Sequence, residues 1–549
     1  MKVKSLVSTV SFFAVGIVLF WAVQRLLTPS WNYPINYDNT GLSVRGFYNL
    51  EEDTEEVFFM GTSHIIVSVS PMELYKEHGI ISYNVGTSGQ PIEVSRFLTS
   101  QIFKTQHPKV IVLDVSNLFL DFTDNSRNIN SATSYVMDNS PFSLDKVRLA
   151  HDLQVIMDKR NEASGSDTPA RDYFWSSLIP IIKYHDRWER VGEADFRDFS
   201  KLQADHYSFG LSINTAIGKP AVSVKEMNYY AEELMNTNRM EHKVIPEENI
   251  ELLRDIKGMC DENGCELLLI KVPSVHLPTT YISSWTEDKS RHMKKVAKEE
   301  GIEFIDLLYD VDLGIDYQKD FLDGGMHLNY LGCLKVSSWL GDYLTENYDV
   351  GGKKSDFYDE EMKIYEKLVD LAKIQMETDF EDYIDILLEN ADRYVIFIMA
   401  RDDCQNGFDD EKNEVMHRLG LSTDFTSKGL HRNSYLAIID RGNVVYEDSS
   451  HEALTVDYNI DDQYKVTAES KGFYAGDWVS LASKGAEYAR NYRGLNIVVF
   501  DRESEWFIDS VCFDSYKQSF LAFRDREIIR PMFKQYEDYI INGVKINRR

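Results

Sequence analysis

The sequence is poor in cysteine and in basic residues. Its five cysteines are odd in number and scattered, which excludes a disulfide framework. The closest pair, Cys260 and Cys265 in "CDENGC", has the spacing of neither a zinc knuckle nor a redox CxxC motif. A local disulfide between these two cysteines is kept as an alternative to two free thiols. Lys and Arg number 59 against 89 Asp and Glu, a net charge of -30, and no basic run is present. Such a field repels polyanions, so no nucleic-acid partner is expected.

Several other signatures are missing. No internal repeat is found, and the acidic pairs at 402–403 and 409–410 lack the D-x-D-x-D-G spacing of a calcium loop. We therefore predict neither a metal nor a cofactor. Disorder is excluded, because 43% of residues are hydrophobic and aromatic side chains are plentiful. The length of 549 residues predicts two or three domains.

The amino terminus carries a long uncharged run. Residues 5–23, "SLVSTVSFFAVGIVLFWAV", would span about 29 Å as a helix, close to the thickness of a bilayer core. A cleaved signal peptide is the alternative, but its apolar core is shorter and ends in small residues. Lys2 and Lys4 precede the run and only Arg25 follows closely, which predicts a cytoplasmic amino terminus. The favoured prediction is a single-pass anchor over residues 1–28 with the bulk of the chain extracellular.

Short apolar runs then alternate with helical periods, the pattern of βαβ units on a parallel sheet. We predict strands at 56–61, 81–86, 109–116, 265–273 and 302–308. Helices are predicted at 72–79, 92–106, 249–264, 289–301 and 329–348. The alternation breaks between residues 120 and 248, where an aromatic-rich segment at 173–196 suggests an insert that caps the active-site face.

A second module follows the sheet domain. Gly-Gly and mixed charge at 349–356 indicate a linker, and an amphipathic helix is predicted at 360–375. Beyond it, apolar and polar residues alternate, with hairpin-like turns at Arg441-Gly442 and at 502–504. The predicted domains are thus 50–350 with the insert at 120–248, a helical linker at 351–390, and a mixed α+β module at 391–549.

A serine follows the first predicted strand in "FFMGTSHIIVSVSP", residues 58–71. Ser63 lies just past the carboxyl end of that strand, where open α/β sheets bind ligands, and the stretch after it reads as a further apolar-alternating segment. A serine hydroxyl needs a base to become a nucleophile. His327 in "FLDGGMHLNYLG" is the candidate, and Asp323 could bind its Nδ1. Taken singly, Ser63 and His327 are more often turn or cap residues.

Three stretches carry a family resemblance. "FMGTSH", "YNVGTSGQP" and "DGGMHLNYLG" resemble the first, second and last blocks of the SGNH/GDSL hydrolase superfamily, in the branch similar to teichoic-acid D-alanylation and alginate O-acetylation proteins. The resemblance covers residues 55–348 without the insert. It implies a flavodoxin-like, three-layer parallel-sheet domain with Ser63 as nucleophile, His327 as base and Asp323 as orienting acid.

The same resemblance implies an oxyanion hole. Its donors would be the N–H groups of Ser63 and Gly86 and the side-chain amide of Asn117, although "LDVSNLF" departs from the Gly-x-Asn of the family's third block. A second departure is the spacing from Asp323 to His327, four residues where the family has three. Asp320 is the reserve acid, and a Ser-His dyad held by a backbone carbonyl is a further alternative.

Three more residues are candidates for substrate binding. His64 is expected to line the pocket or to pack beside Ser63 rather than act as the base. In the insert, His185 and Trp188 of "YHDRW" could reach the substrate, with Trp188 stacking on a sugar ring. Packing of these aromatic residues between the insert and the core is the alternative interpretation.

The carboxyl-terminal module carries a second resemblance. "FIMARDDCQNGFDDEKNEVMHRLG", "SYLAIIDRGNVVYED" and "YRGLNIVVFDRESEWFIDSVCFDS" resemble the interleukin-like epithelial–mesenchymal-transition inducer domain, with the two halves in swapped order relative to the animal domains. The resemblance implies a β-sandwich-like module without catalytic residues, with saccharide binding as an option. Asp402, Asp403, Arg493 and Asn496 are interpreted as turn and salt-link residues.

Two functions follow from these patterns. The first is a membrane-anchored serine esterase or O-acyltransferase that acts on acyl groups of a cell-envelope polysaccharide or teichoic-acid-like substrate, with a membrane-bound O-acyltransferase as a partner. The second is a catalytically weak scaffold that binds glycan or a membrane partner. The two departures from the family blocks support the second.

Overall fold

The computed structural model describes residues 2–28, 40–120, 136–163, 172–191, 211, 213, 217–236, 244–276, 284–462, 464–503 and 505–524. Predictions for residues 192–196 and 525–549 lie outside these ranges. The chain forms two compact units, Met1–Tyr365 and Glu366–Arg549, and is a mixed α/β protein. The domain boundaries predicted at residues 28, 350 and 390 stay predictions.

The amino-terminal run is helical. Helix α1 spans Lys2–Leu27, and a short helix, α2, spans Thr40–Phe47. The 20-residue part of α1 from Ser8 to Leu27 is long and apolar enough to cross a membrane. Its apolar side chains are largely uncovered by the rest of the chain: Phe12 is 75% exposed and Val18 is 66% exposed.

A five-stranded parallel sheet forms the centre of the first unit. Its strands are β1 (Val57–Met60), β2 (Ser82–Asn84), β3 (Val110–Asp114), β4 (Glu266–Lys271) and β5 (Glu303–Asp306). Their order is β2-β1-β3-β4-β5, and every neighbouring pair is parallel. All five predicted strands are therefore present, each shorter than its prediction.

Both faces of the sheet are covered. Successive residues of a strand point to opposite faces, yet Phe58 and Phe59 of β1 are both fully buried. The same holds for Ile111 and Val112 of β3. Parallel sheets are buried on both faces in this way, and continuous apolar runs such as "VIVL" are the result.

Ten helices follow α2 in the described part of the first unit. They are α3 (Ser63–Ser68), α4 (Pro71–His78), α5 (Ile92–Thr105), α6 (Leu144–Ala163), α7 (Tyr173–Leu178), α8 (Ile181–Tyr184), α9 (Val224–Asn236), α10 (Glu247–Glu262), α11 (Glu287–Glu299) and α12 (Tyr330–Asn347). Helix α12 packs on α3 and α4, whereas α5 packs on α6 and α10. The five helices predicted for this sheet domain are confirmed within a few residues, and Gly79 ends α4 in a left-handed conformation as expected.

Helix α3 was not expected. The stretch after Ser63 was predicted to be an apolar-alternating segment, and this is wrong, because residues 63–68 form a helix capped by Thr62. The last four residues of α3 are all buried. A short element without a polar face shows no period that separates helix from strand.

The second unit contains two antiparallel sheets. Its helices are α13 (Asp356–Met376, which begins in the first unit), α14 (Phe380–Glu389) and α15 (Asp410–Arg418). Its strands are β6 (Tyr394–Arg401), β7 (Ser434–Asp440), β8 (Asn443–Ser450), β9 (Leu454–Asn459), β10 (Lys465–Lys471), β11 (Trp478–Ser483), β12 (Ala486–Glu487), β13 (Gly494–Asp501), β14 (Trp506–Phe513) and β15 (Ala522–Phe523). The six-stranded sheet has the order β15-β14-β13-β6-β7-β8 and the four-stranded sheet the order β12-β11-β10-β9.

Side chains from both sheets form one core in this unit. Phe397 of β6, Leu436 of β7, Val466 of β10 and Leu481 of β11 are fully buried in the same cluster. The predicted hairpin turn between β7 and β8 is confirmed, with Arg441 at φ 51° and the next glycine at φ 71°.

Candidate active site

A sharp turn presents Ser63 at the carboxyl end of β1. Gly61 has φ 143°, and a Cβ atom there would lie 2.7 Å from Cβ of Asp114 on the neighbouring strand, so only glycine fits. Thr62 follows as the N-cap of α3, and its hydroxyl donates to Oδ2 of Asp114 at 3.0 Å. Ser63 is the first residue of α3 and is half-buried. The turn is thus tied to β3, and the position of Ser63 is fixed by both strands.

A closed loop presents His327 and Asp323. Phe321 and Leu328 form an antiparallel bridge at its base, and the N–H of Leu322 donates to the carbonyl oxygen of His327 at 2.9 Å. Asn329 then caps α12 by accepting from two N–H groups of its first turn. The loop is therefore anchored on one side by its own bridge and on the other by the start of the closing helix.

The three predicted catalytic residues meet. Ser63 Oγ lies 2.7 Å from Nε2 of His327, and Nδ1 of His327 lies 2.7 Å from Oδ2 of Asp323. An ionised carboxylate only accepts hydrogen bonds, so the proton of a neutral imidazole belongs on Nδ1. Nε2 then accepts from the hydroxyl of Ser63. This is the arrangement in which a histidine can take the proton of an attacking serine.

The reserve acid lies elsewhere. Asp320 is buried, and its Oδ2 lies 2.6 Å from Nζ of Lys335 and accepts from the N–H of Asp316 at 2.6 Å. It is Asp323 that contacts the histidine. The extra residue between acid and base is absorbed by Gly324 and Gly325, both at positive φ.

The two other predicted oxyanion donors are engaged within the protein. The N–H of Gly86 donates to Oδ1 of Asn84 at 3.0 Å, and the amide of Asn117 donates to the carbonyl oxygen of Gln90 at 3.1 Å. A Cβ atom at Gly86 would lie 2.3 Å from Cγ2 of Ile65. Close packing of this loop on α3 therefore accounts for the glycine, and the role of its N–H as an oxyanion donor stays a prediction.

Ser63 itself retains a donor. As the first residue of α3 it has no acceptor within the helix for its N–H, and none of the described residues supplies another. The backbone N–H of Ser63 is thus the one predicted oxyanion donor that has no acceptor among the described residues.

Asn84 is a site residue that the sequence reasoning missed. It is fully buried at the end of β2, and its amide donates to the carbonyl oxygen of Ile65 at 2.9 Å. With its bond to Gly86, it connects the first turn of α3 to the loop after β2. A polar residue that closes an apolar strand, as in "ISYN", was the available signal.

His64 packs on the base. Its ring and the ring of His327 have centroids 4.9 Å apart at 33°. Burial, and then the charges of Lys271 and His327, lower the pKa of His64 well below its ordinary value. Its Nδ1 is buried and has no partner among the described residues. A neutral ring at this place adds no like charge beside an imidazolium on His327, which agrees with the prediction that His64 packs rather than acts as the base.

Three neighbouring strands end on buried charged residues. Asp114 ends β3, Lys271 ends β4 and Asp306 ends β5. Burial lowers the pKa of Lys271, while Asp114 and Asp306 oppose that effect. Nζ of Lys271 also donates to the hydroxyl of Ser274 at 3.1 Å. Asp114 of this row accepts the hydrogen bond from Thr62 that ties the turn of Ser63 to β3, and the row was not predicted.

His276 lies close to the same groups. Burial lowers its pKa to about 4, the neighbouring Lys271 and His327 act in the same direction, and Asp323 acts in the opposite direction. The hydroxyl of Ser284 donates to its carbonyl oxygen at 2.9 Å. A second neutral histidine thus stands near the base.

The insert returns to the site through Gly218. Its N–H donates to the carbonyl oxygen of Phe321 at 2.7 Å, and its carbonyl oxygen accepts from the N–H of Gly324 at 2.7 Å. The insert thereby supports the loop that carries Asp323 and His327. Whether it caps the substrate pocket stays a prediction.

The other two predicted substrate residues are not joined to this group. His185 is exposed on a 3-10 turn at His185–Arg190, and its Nδ1 donates to the carbonyl oxygen of Ile182 at 3.1 Å. Trp188 on the same turn is 68% exposed. None of the described contacts links either side chain to Ser63 or His327, and the turn packs against the end of α1 instead.

Polar residues of the second unit have structural partners. Oδ1 of Asp403 accepts from the N–H groups of Gln405 and Asn406, both at 2.7 Å. Arg493 forms a bidentate pair with Asp514. These contacts are the turn and salt link that were predicted for Asp403 and Arg493.

The described residues can also be examined for metal ligands and disulfide bonds. Within the described ranges, no group of three or more His, Cys, Asp or Glu side chains could hold a metal ion. All five cysteines are buried free thiols, Cys260 and Cys265 included.

No protein-family model matches the chain, and no curated protein matches it.

Proposed function

We propose that the protein is a membrane-anchored serine esterase or O-acyltransferase of the SGNH/GDSL type. The observation that carries the proposal is the connected set Ser63, His327 and Asp323, with 2.7 Å at both contacts. The strand order β2-β1-β3-β4-β5 supports it, because flavodoxin-like sheets have this order and bind ligands at their carboxyl edge.

The chemistry follows from this arrangement. Oγ of Ser63 attacks the acyl carbonyl carbon while its proton passes to Nε2 of His327, and Asp323 stabilises the imidazolium. The leaving alcohol takes that proton, and the acyl group stays on Ser63 as an ester. Water or a sugar hydroxyl then attacks this ester and gives its proton to His327, which passes it to the departing Oγ of Ser63. Water makes the protein an esterase, and a sugar makes it a transferase.

Cell-envelope carbohydrate is the proposed substrate class. Its support is the resemblance of "FMGTSH", "YNVGTSGQP" and "DGGMHLNYLG" to enzymes of teichoic-acid and alginate acylation. Helix α1 supports the location, with the amino terminus inside and the bulk of the chain outside. A membrane-bound O-acyltransferase is the proposed partner that would supply the acyl group.

The test is active-site labelling of the full chain in detergent. We expect a fluorophosphonate to modify Ser63 and a chromogenic acetyl ester to be hydrolysed. Ser63→Ala and His327→Ala should each abolish both signals, since losing a member of such a triad removes most of the rate. Ser100→Ala is the matched control, because Ser100 is a partly buried serine that donates to the carbonyl oxygen of Phe97 at 2.7 Å.

One observation favours a catalytically weak scaffold as the second candidate. The N–H of Gly86 and the amide of Asn117 are both committed to protein acceptors. An oxyanion donor contributes about 10²–10³ in rate, so two absent donors would leave a slow enzyme. A wild-type chain that neither labels at Ser63 nor turns over ester would favour the scaffold over the enzyme.

A further inference from the structure

The aromatic segment of the insert packs against the carboxyl end of the apolar helix. Helix α8 and the 3-10 turn after it, together residues 181–190, contact α1. Nη1 of Arg187 donates to the carbonyl oxygen of Leu27 at 2.7 Å, so it satisfies one of the free carbonyls at the end of the helix. Leu27 is buried there, unlike most of the helix before it.

The position of this contact fixes the level of the segment. The part of α1 from Ser8 to Leu27 is about 30 Å long, the thickness of the bilayer core. If that part spans the bilayer, Leu27 lies at the membrane surface. Residues 181–190 then lie at the surface too, because they touch the last turns of the same helix.

The segment exposes the side chains that such a surface favours. Trp188 is 68% exposed, Ile182 is 46% exposed, and Trp175 on the preceding helix is 53% exposed. Tryptophan is enriched where the bilayer core meets water, since its ring is apolar and its N–H is polar. Trp21, near the end of α1, is 55% exposed as well.

The segment that carries these exposed side chains is held in place by side-chain contacts. Nζ of Lys183 lies 2.8 Å from Oδ2 of Asp138, and the hydroxyl of Tyr184 donates to the same oxygen. Asp138 is buried by these contacts. Lys183, Tyr184 and Arg187, which lie between Ile182 and Trp188, are thus tied to other parts of the first unit, and the two apolar residues are exposed at the ends of an ordered segment.

We infer that residues 175–190 form a second membrane contact, in which Trp188 and Ile182 enter the interface of the bilayer that α1 spans. The inference rests on the proposed membrane anchor and deepens it. Apolar insertion is the driving force, because the chain carries a net charge of -30 and the stretch "DRWER" around Trp188 contains two acidic and two basic residues, which gives it no net positive charge. Contact is therefore expected with zwitterionic lipid and needs no anionic lipid. It would hold the first unit, with Ser63 and His327, close to the membrane.

The experiment places nitroxide labels on the full chain in phosphatidylcholine vesicles. Ile182→Cys and Trp188→Cys report on the segment, Trp21→Cys reports on α1, and Tyr229→Cys is an exposed site on α9 beside Glu233. The native cysteines are buried, so the introduced thiols react selectively. The measured quantity is the ratio of collisions with oxygen, which concentrates in lipid, to collisions with a water-soluble nickel chelate.

The expected result is a high ratio for labels at 182 and 188, close to that at 21, and a low ratio at 229. Adding phosphatidylglycerol should leave these ratios unchanged. A high ratio at 21 with water-like ratios at 182 and 188 would overturn the second contact and leave the anchor standing. A water-like ratio at 21 would remove the anchor itself. Spin–spin broadening between labels at 188 on different copies would also overturn the inference, since it would mean that this face pairs with a second chain.

Discussion

Asp323 holds His327 at two points. Its Oδ2 accepts from Nδ1 of the ring at 2.7 Å, and its Oδ1 accepts from the backbone N–H of the same residue at 2.9 Å. One carboxylate therefore fixes both the ring and the chain that carries it. The histidine is 16% exposed and the aspartate 29%, so the pair is partly shielded from water, which strengthens the interaction.

Replacing Asp323 by Asn should lower kcat by about 10³- to 10⁴-fold, because the amide no longer fixes the tautomer or stabilises the imidazolium. The matched variant is Asp320→Asn, which loses a buried pair with Lys335. It should lower the melting temperature and change kcat by less than about threefold, since its carboxylate contacts Lys335 and Asp316 and not the histidine. Ester hydrolysis and thermal unfolding of both variants check this. The reverse pattern would make Asp320 the orienting acid.

Replacing Asn117 by Ala should change kcat/KM by less than about threefold. The amide is bonded to the carbonyl oxygen of Gln90, so it is not available to a developing oxyanion. An oxyanion donor would cost about 10²–10³ on removal. Steady-state kinetics on the acetyl ester, with Ser116→Ala as a neighbouring control on the same loop, decide the matter. A hundredfold loss at Asn117 would restore the role that the family resemblance implies.

Replacing Lys271 by Met should lower the free energy of unfolding by about 3 kcal/mol. The change leaves the carboxylates of Asp114 and Asp306 buried without the cation that lies near both. Lys294→Met is the control, because the ion pair of Lys294 with Asp310 is exposed and contributes at most about 1 kcal/mol. Urea unfolding of both variants supplies the comparison. Equal losses would mean that the buried row contributes no more than a surface pair.

The free energy of unfolding should fall as the pH falls from about 6.5 to about 4. In that window the unfolded chain protonates the imidazole of His276, whereas the folded protein does not, because its pKa is lowered to about 4. Above the window the group contributes nothing. The slope from this one residue is at most about 1.4 kcal/mol per pH unit.

The measurement for this prediction is urea unfolding at pH 7 and pH 5. The loss of stability between the two pH values should be smaller in His276→Gln than in the wild type. His185→Gln, a change at an exposed histidine, should behave like the wild type. An unchanged loss in His276→Gln would show that other groups dominate the acid sensitivity.

Much of the first unit was readable from the sequence because its strands are fully buried. The run "VIVLD" predicts a buried strand at 109–116, and β3 spans Val110–Asp114. Helix α5, Ile92–Thr105, ends one residue before its prediction. The prediction for residues 63–68, which form α3, was wrong because β-branched residues such as Ile65 and Ile66 favour strands. Tertiary packing overrode that preference.

Fewer helices and strands of the second unit were predicted from the sequence. The four-stranded sheet was missed, although β10, "KVTAESK", alternates exposed and buried residues as a half-buried strand does. Helix α14 lies within the helical linker predicted at 351–390, but its bounds were not predicted. Its buried residues Phe380, Tyr383, Ile384 and Leu387 have the spacing of an amphipathic helix, which was the available signal.

Some contacts of the candidate site follow from the order of the strands along the chain, whereas others depend on loop packing. The meeting of Ser63 and His327 was predictable, since Ser63 follows β1, His327 lies in the connection that follows β5, and the carboxyl ends of parallel strands share one edge. The partners of Gly86 and Asn117 were not, because they depend on how two loops pack on α3 and on each other. Lys271 was missed for a similar reason: a lysine after "ELLLI" reads as solvent-facing until the neighbouring strands supply their carboxylates.

The loop that carries His327 rests on Gly218, and His327 follows Ser63 by 264 positions. During translation, Ser63 is therefore synthesised first, Gly218 later, and His327 last. Throughout that interval the growing polypeptide holds an unactivated hydroxyl, and a product truncated before Gly218 lacks both the base and its support. On the proposed mechanism, Ser63 can therefore become reactive only when synthesis of the first unit is almost finished.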